Sequence, residues 1–74
     1  MRCQVATYSG HRLHERPLRF TWDGKWLEVR QILEQSYGPG RLRFKVAAAD
    51  GRRYLLTYDQ NGDFWEVEVR GRSG

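Results

Sequence analysis

The sequence predicts an all-β domain, a five- to six-stranded antiparallel meander that forms a small, partly open SH3-like barrel or a strongly twisted sheet. Three observations carry the prediction. Four turn signals, Asp23-Gly24, Gly38-Pro39-Gly40, Asp50-Gly51 and Asn61-Gly62, divide the 74 residues into strand-length pieces. Between them run alternating segments, Leu42 to Val46 and Phe64 to Val69, with the period of two that a half-buried strand requires. Aromatic residues are many for the length, with three Trp, four Tyr and three Phe. A short sheet buries so many rings only by curling over them.

The first element, Arg2 to Tyr8, sets Cys3, Val5 and Thr7 on one face against Gln4, Ala6 and Tyr8, a weak strand. Ser9 to Arg16 is polar, contains Gly10, His11 and His14, and reads as a loop. Pro17 suits the opening of the next strand, where its missing N–H does no harm. Leu18, Phe20 and Trp22 then share a face. A two-residue turn at Asp23-Gly24 opposes Trp22 with Lys25, Phe20 with Leu27 and Leu18 with Val29, and sets Arg19 opposite Glu28 on the other side. A one-residue slip would put Phe20 against Glu28, so the register is specified. It leaves Trp26 outside.

Past Val29 the alternation fails, because Ile32 and Leu33 are adjacent. A bulge near Arg30-Gln31, or a strand that bends from one layer to another, accounts for this. Trp26, Val29, Ile32 and Leu33 also fit a helical stripe. The hairpin turn immediately before them favours a strand over 26–35. Ser36 to Gly40 ends the element.

The last three strands are the clearest. A two-residue turn at Asn61-Gly62 opposes Tyr58 with Trp65, Leu56 with Val67 and Tyr54 with Val69. A three-residue loop, Ala49-Asp50-Gly51, aligns Leu42, Phe44 and Val46 with Tyr58, Leu56 and Tyr54 on the same face. It also places Arg43 and Lys45 on the outer face with Glu66 and Glu68. A two-residue loop there would send Phe44 and Val46 to the wrong side.

Residues 1–74 make one domain, and a chain this short has a small core. Cys3 has no second cysteine to pair with, which argues for a reducing compartment. No apolar run approaches the ~20 residues of a membrane span. Met1 to Val5 lacks the apolar stretch of a signal peptide, so the expected location is cytoplasmic, with no membrane partner. The net charge is +4, carried by eleven Arg and two Lys. Arg favours bidentate phosphate contacts and stacking on rings, although a GC-rich genome would also enrich it.

The run Arg16-Pro17-Leu18-Arg19-Phe20-Thr21-Trp22-Asp23-Gly24, followed by Val29 and Ile32-Leu33, resembles the R-P-x-x-F-x-W-x-G pattern of a family of small uncharacterised bacterial proteins. The likeness extends through Val46, Asp50-Gly51, Tyr54, Leu56, Tyr58-Asp59, Trp65 and Val67, so it covers residues 16 to 69. It implies the β fold and brings no catalytic residues. This chain departs from the pattern at Ser36-Tyr37-Gly38-Pro39-Gly40, where many relatives carry a longer aromatic loop.

No catalytic motif is present: there is no G-x-S-x-G, no phosphate-binding glycine loop and no H-E-x-x-H. A Cys3–His dyad is the one nucleophilic arrangement available, and a lone cysteine in a strand is more commonly a small core residue. Asp59 and Asp63 flank a turn, and Glu66 and Glu68 face cations. Cys3, His11 and His14 fall short of a zinc set. The expectation is therefore a non-enzymatic domain without metal or cofactor.

Single-stranded nucleic acid or another phosphate-bearing ligand is the sharper expectation, since small barrels stack bases on exposed aromatics beside Arg and Lys. Two patches present themselves. Trp26 lies outside with Arg19 and Arg30 on its face. Arg53 falls opposite Arg70, with Arg52 and Arg72 nearby, and facing like charges leave room for an anion. The plainer alternatives are a Trp26 covered by the N-terminal strand and a frayed C-terminus. The rival function is protein interaction through an edge strand, with Trp26, Tyr37 or Leu55 as contacts.

Overall fold

Seven antiparallel strands follow one another in the computed structural model, which describes residues 1–7 and 16–72. They are β1 (Arg2–Cys3), β2 (Val5–Thr7), β3 (Pro17–Trp22), β4 (Lys25–Gly38), β5 (Arg41–Ala48), β6 (Arg52–Asp59) and β7 (Phe64–Arg72). The order across the sheet is β1-β7-β6-β5-β4-β3-β2. Its two ends are joined by Gln4 alone, so the sheet wraps into a nearly closed barrel with an unsealed seam. The Thr21 N–H donates to the Gln4 carbonyl and the Gln4 N–H to Thr21 Oγ1, both at 2.9 Å. The all-β meander is as expected. The strand count exceeds five or six because the first segment divides at Gln4, one half pairing with β7 and the other with β3.

The expected registers of the last three strands hold throughout the core. Leu42, Phe44 and Val46 oppose Tyr58, Leu56 and Tyr54, which in turn oppose Trp65, Val67 and Val69. Leu42, Phe44, Val46, Tyr54, Leu56, Tyr58 and Val67 form the buried cluster with Phe20 and Ala48; Trp65 packs against it half-buried, and Val69, at the far end of the face, is 44% exposed. Phe20 and Trp22 meet Tyr54 edge-on, with ring centroids 5.0 and 5.3 Å apart. Gly51 takes the left-handed conformation, φ 83°, and donates to the Ala48 carbonyl at 3.0 Å. That is the geometry a three-residue loop demands and a residue with a Cβ resists.

Residues 26–35 are strand, within the 14 residues of β4. Two bulges break its alternation, inserting Arg30 between Val29 and Gln31 and Leu33 between Ile32 and Glu34. The first was expected and the second was not. Together they keep Val29 and Ile32 inward and turn Leu33 out, 40% exposed. β4 pairs with β3 through its first residues and with β5 from Val29 onward, which bends the sheet into a barrel.

Two local expectations are corrected. Leu18 does not face inward against Val29: the register shifts between Ala6 and Thr7 of β2, so Leu18 is extruded, 48% exposed, and Pro17 is buried in its place. The β6–β7 connection is not a two-residue turn but a four-residue loop, Gln60 to Asp63, closed by the Asp63 N–H on the Asp59 carbonyl at 2.7 Å. The left-handed residue there is Asp63, φ 56°. Asp59 Oδ1 accepts the Asn61 and Gly62 N–H groups at 3.0 Å each, which favours the longer loop. A symmetric loop of either length preserves the same pairs, so the register survived. At Asp23-Gly24 both residues have positive φ, 53° and 77°, as a two-residue hairpin turn requires.

Candidate anion-binding surfaces

The β3–β4 hairpin presents the first expected patch. Because Arg19 pairs with Glu28 and Thr21 with Trp26, Trp26 points away from the core and remains 51% exposed. The Arg19 guanidinium carbon lies 5.8 Å from the centre of the Trp26 ring, a cation–π arrangement on an open surface. Among the described residues, the N-terminal strands leave the indole open. Arg30, the third member, is the extruded residue of the first bulge. It lines a shallow groove with Arg16, Pro17 and Leu18.

The second patch does not assemble as expected. Arg53 opposes Gly71 rather than Arg70, because the register shifts between Arg53 and Tyr54 and leaves Arg70 as the extra residue on β7. Gly71, with φ 140°, is the local signal for that bulge. Arg70 Nη1 instead sits 3.3 Å from Glu68 Oε1. Arg52 lies beside Trp22, Lys25 and Asp50 at one end of the barrel. Its backbone N–H donates to Asp50 Oδ1 at 3.0 Å. Arg53 and Arg70 therefore do not oppose one another, whereas Arg52 lies opposite Arg72 in the register.

A longer cationic row went unassigned in the sequence. Arg41, Arg43 and Lys45 alternate along β5 with the buried Leu42, Phe44 and Val46, so all three share its outer side. Lys45 Nζ lies 3.7 Å from Glu34 Oε1. Arg43, by contrast, is in no ion pair among the described residues, and its lateral neighbours are Ser36 and Thr57. The alternation that identified the core also named this row.

Two buried phenols tie down the turns at opposite ends of β6. Tyr54 Oη donates to Asp50 Oδ2 at 2.6 Å, and Tyr58 Oη donates to Asp63 Oδ1. Burial first, then the bond to Asp50, pushes the Tyr54 phenol up to about 12. For Tyr58 the bond to Asp63 comes first and burial second, again to about 12. Burial likewise pushes the Cys3 thiol up to about 11, with Glu66 adding and the chain amino terminus opposing. A thiol held protonated is a poor nucleophile, and His11 and His14 lie outside the described residues. Among the described residues, no group of three or more His, Cys, Asp or Glu is placed to hold a metal ion. Nor, among the described residues, is any helix long and apolar enough to cross a membrane.

No family model matches the chain, and no solved structure matches it. The chain is similar to an ulvan lyase of Alteromonas sp. (strain LOR), 37% identical over 57 residues. The match takes in 70% of this chain and 12% of that lyase, so it concerns a small part of a much larger enzyme.

Proposed function

We propose that this domain is a non-catalytic binding module for single-stranded nucleic acid or another anionic ligand, acting through the β3–β4 face. The observation that carries the reading is Trp26, half exposed on the β3–β4 hairpin with the Arg19 guanidinium over its ring. An open indole beside a cation offers a stacking surface and a phosphate partner together, the combination that single-strand binders use. The net charge of +4 supports encounter with a polyanion.

Titration with a short oligothymidylate, followed by Trp fluorescence, tests the reading. Trp26→Ala should weaken binding by about 1–3 kcal/mol, the range for one stacked base. Affinity should also fall with salt, the slope dropping by ~0.7 when Arg19→Gln removes one phosphate contact. Binding unchanged in both variants would remove the β3–β4 face from consideration.

The likeness to part of an ulvan lyase favours a second reading, in which the domain is an accessory module beside a catalytic body and its ligand is the polysaccharide. The same titration with ulvan oligosaccharides separates the two: saturable binding to these, with none to the oligonucleotide, selects the accessory module.

A further inference from the structure

The outer face of the β5–β6–β7 sheet carries two stripes of opposite sign. On β5 the outward residues are Arg41, Arg43 and Lys45; on β7 they are Phe64, Glu66 and Glu68. The strand between them, β6, contributes Leu55 and Thr57, with Asp59 between Arg41 and Phe64 in the end row. The hydrogen-bond register sets these residues in rows across the sheet. Arg43 opposes Thr57 and Thr57 opposes Glu66; Lys45 opposes Leu55 and Leu55 opposes Glu68. Cation and carboxylate in each row are two strands apart, ~9–10 Å at the usual strand spacing. Arg43 and Glu66 do not bridge that gap, and neither is in an ion pair among the described residues, although Arg2 of β1 lies opposite Glu66 in the register.

From this arrangement we propose that the face is an interface between two copies of this chain, related by a two-fold axis lying along β6. An axis in that direction exchanges the two flanking strands and leaves each row in place. The cationic stripe of one copy then falls on the acidic stripe of the other, row for row. Arg43 meets Glu66 of the second copy, and Glu66 meets the second copy's Arg43, the reciprocity that an isologous contact demands. Lys45 and Glu68, which hold Glu34 and Arg70 within each copy, come opposite one another in the next row and add less. Leu55, half-buried in the free chain, meets its own equivalent on the axis and supplies apolar contact there.

A second copy suits this face better than a polyanion does. A polyanion seated on Arg43 would lie beside Glu66 and Glu68, which repel it; a second copy uses both stripes. The outer side of a barrel is convex, so contact concentrates along β6, and the association is weak and salt-sensitive. The β3–β4 face with Trp26 stays outside this interface, so the dimer does not depend on the ligand proposed above.

Sedimentation equilibrium of the full chain at low and high salt, with two charge reversals, tests the dimer. The wild-type chain should show a concentration-dependent dimer at low salt that dissociates in 1 M salt, where the screening length is ~3 Å. Arg43→Glu and Glu66→Arg should each weaken self-association by roughly tenfold or more, since each creates two like-charge contacts per dimer. An equimolar mixture of the two variants should regain dimer, because every cross-copy contact is then of opposite sign. Both residues are exposed, and a circular dichroism spectrum matching wild type confirms that the variants are folded. A wild-type chain that stays monomeric at millimolar concentration overturns the proposal. So does a mixture that associates no better than the separate variants.

Discussion

The β5–β7 meander and strand β4 are neighbours in one sheet, yet their alternation behaves in opposite ways. Through the core, the meander keeps strict alternation, and every second residue from Leu42 to Ala48 is buried. β4 gives up its alternation twice, at Arg30 and at Leu33. The reason lies in what each must do. The meander lines one side of a core, whereas β4 leaves β3, turns a corner and joins β5. A strand that turns a corner needs bulges to do so. Regular strands therefore store the stability, and the irregular strand stores the shape.

Substitutions should separate these two roles. Phe44, fully buried on β5, should cost about 3–5 kcal/mol when cut to Ala, whereas Leu33→Ser in the second β4 bulge should stay within ~0.5 kcal/mol. Urea unfolding followed by Trp fluorescence reads both. A large loss at Leu33 would mean that the bulge carries stability as well as shape.

Glycine substitutions at the two ends of β5 give a smaller contrast. Gly51→Ala should destabilise by about 1 kcal/mol, since its φ of 83° disfavours a Cβ. Gly38→Ala, at the end of β4, meets nothing within 4 Å and has no such φ, so it should be close to neutral. Thermal unfolding of the two variants checks the order.

The two tyrosine anchors sharpen the picture within the meander. Both phenols titrate above their ordinary value of 10, at about 12. The unfolded chain therefore releases these protons first as pH rises. The stability they contribute is whole below pH 10 and is lost between about pH 10 and 12. Tyr58→Phe should flatten part of that loss in urea unfolding at alkaline pH. Asp63→Asn should lower the Tyr58 titration more than Asp50→Asn lowers that of Tyr54, because the bond leads in one case and burial in the other. Phenolate absorbance measures both; equal shifts would show that the two anchors are alike.

Much of the fold was legible. Alternation and turn chemistry carried the registers of β3–β4, β5–β6 and β6–β7, because a slip would have exposed Phe20 or buried a glutamate. What escaped were the shifts of one residue: Leu18, Leu33 and Arg70. A bulge changes no composition and only one step of the period, so a pattern of two passes over it. The same gap undid the expected Arg53–Arg70 opposition, since one extra residue at Arg70 moved Gly71 opposite Arg53. Trp26 was readable as outward because it sits in a regular hairpin, two residues from its turn.

By itself, then, the sequence determined the strands, the turns that join them and the side each regular residue takes, because these depend on neighbours within a few positions. The tertiary structure decided how the sheet closes. Gln4 divides the first strand between two edges and β4 bends at its bulges, and both follow from wrapping a sheet around Phe20, Phe44 and Tyr54. Which charges meet across strands was settled there as well, since a long-range register is set by closing the whole barrel.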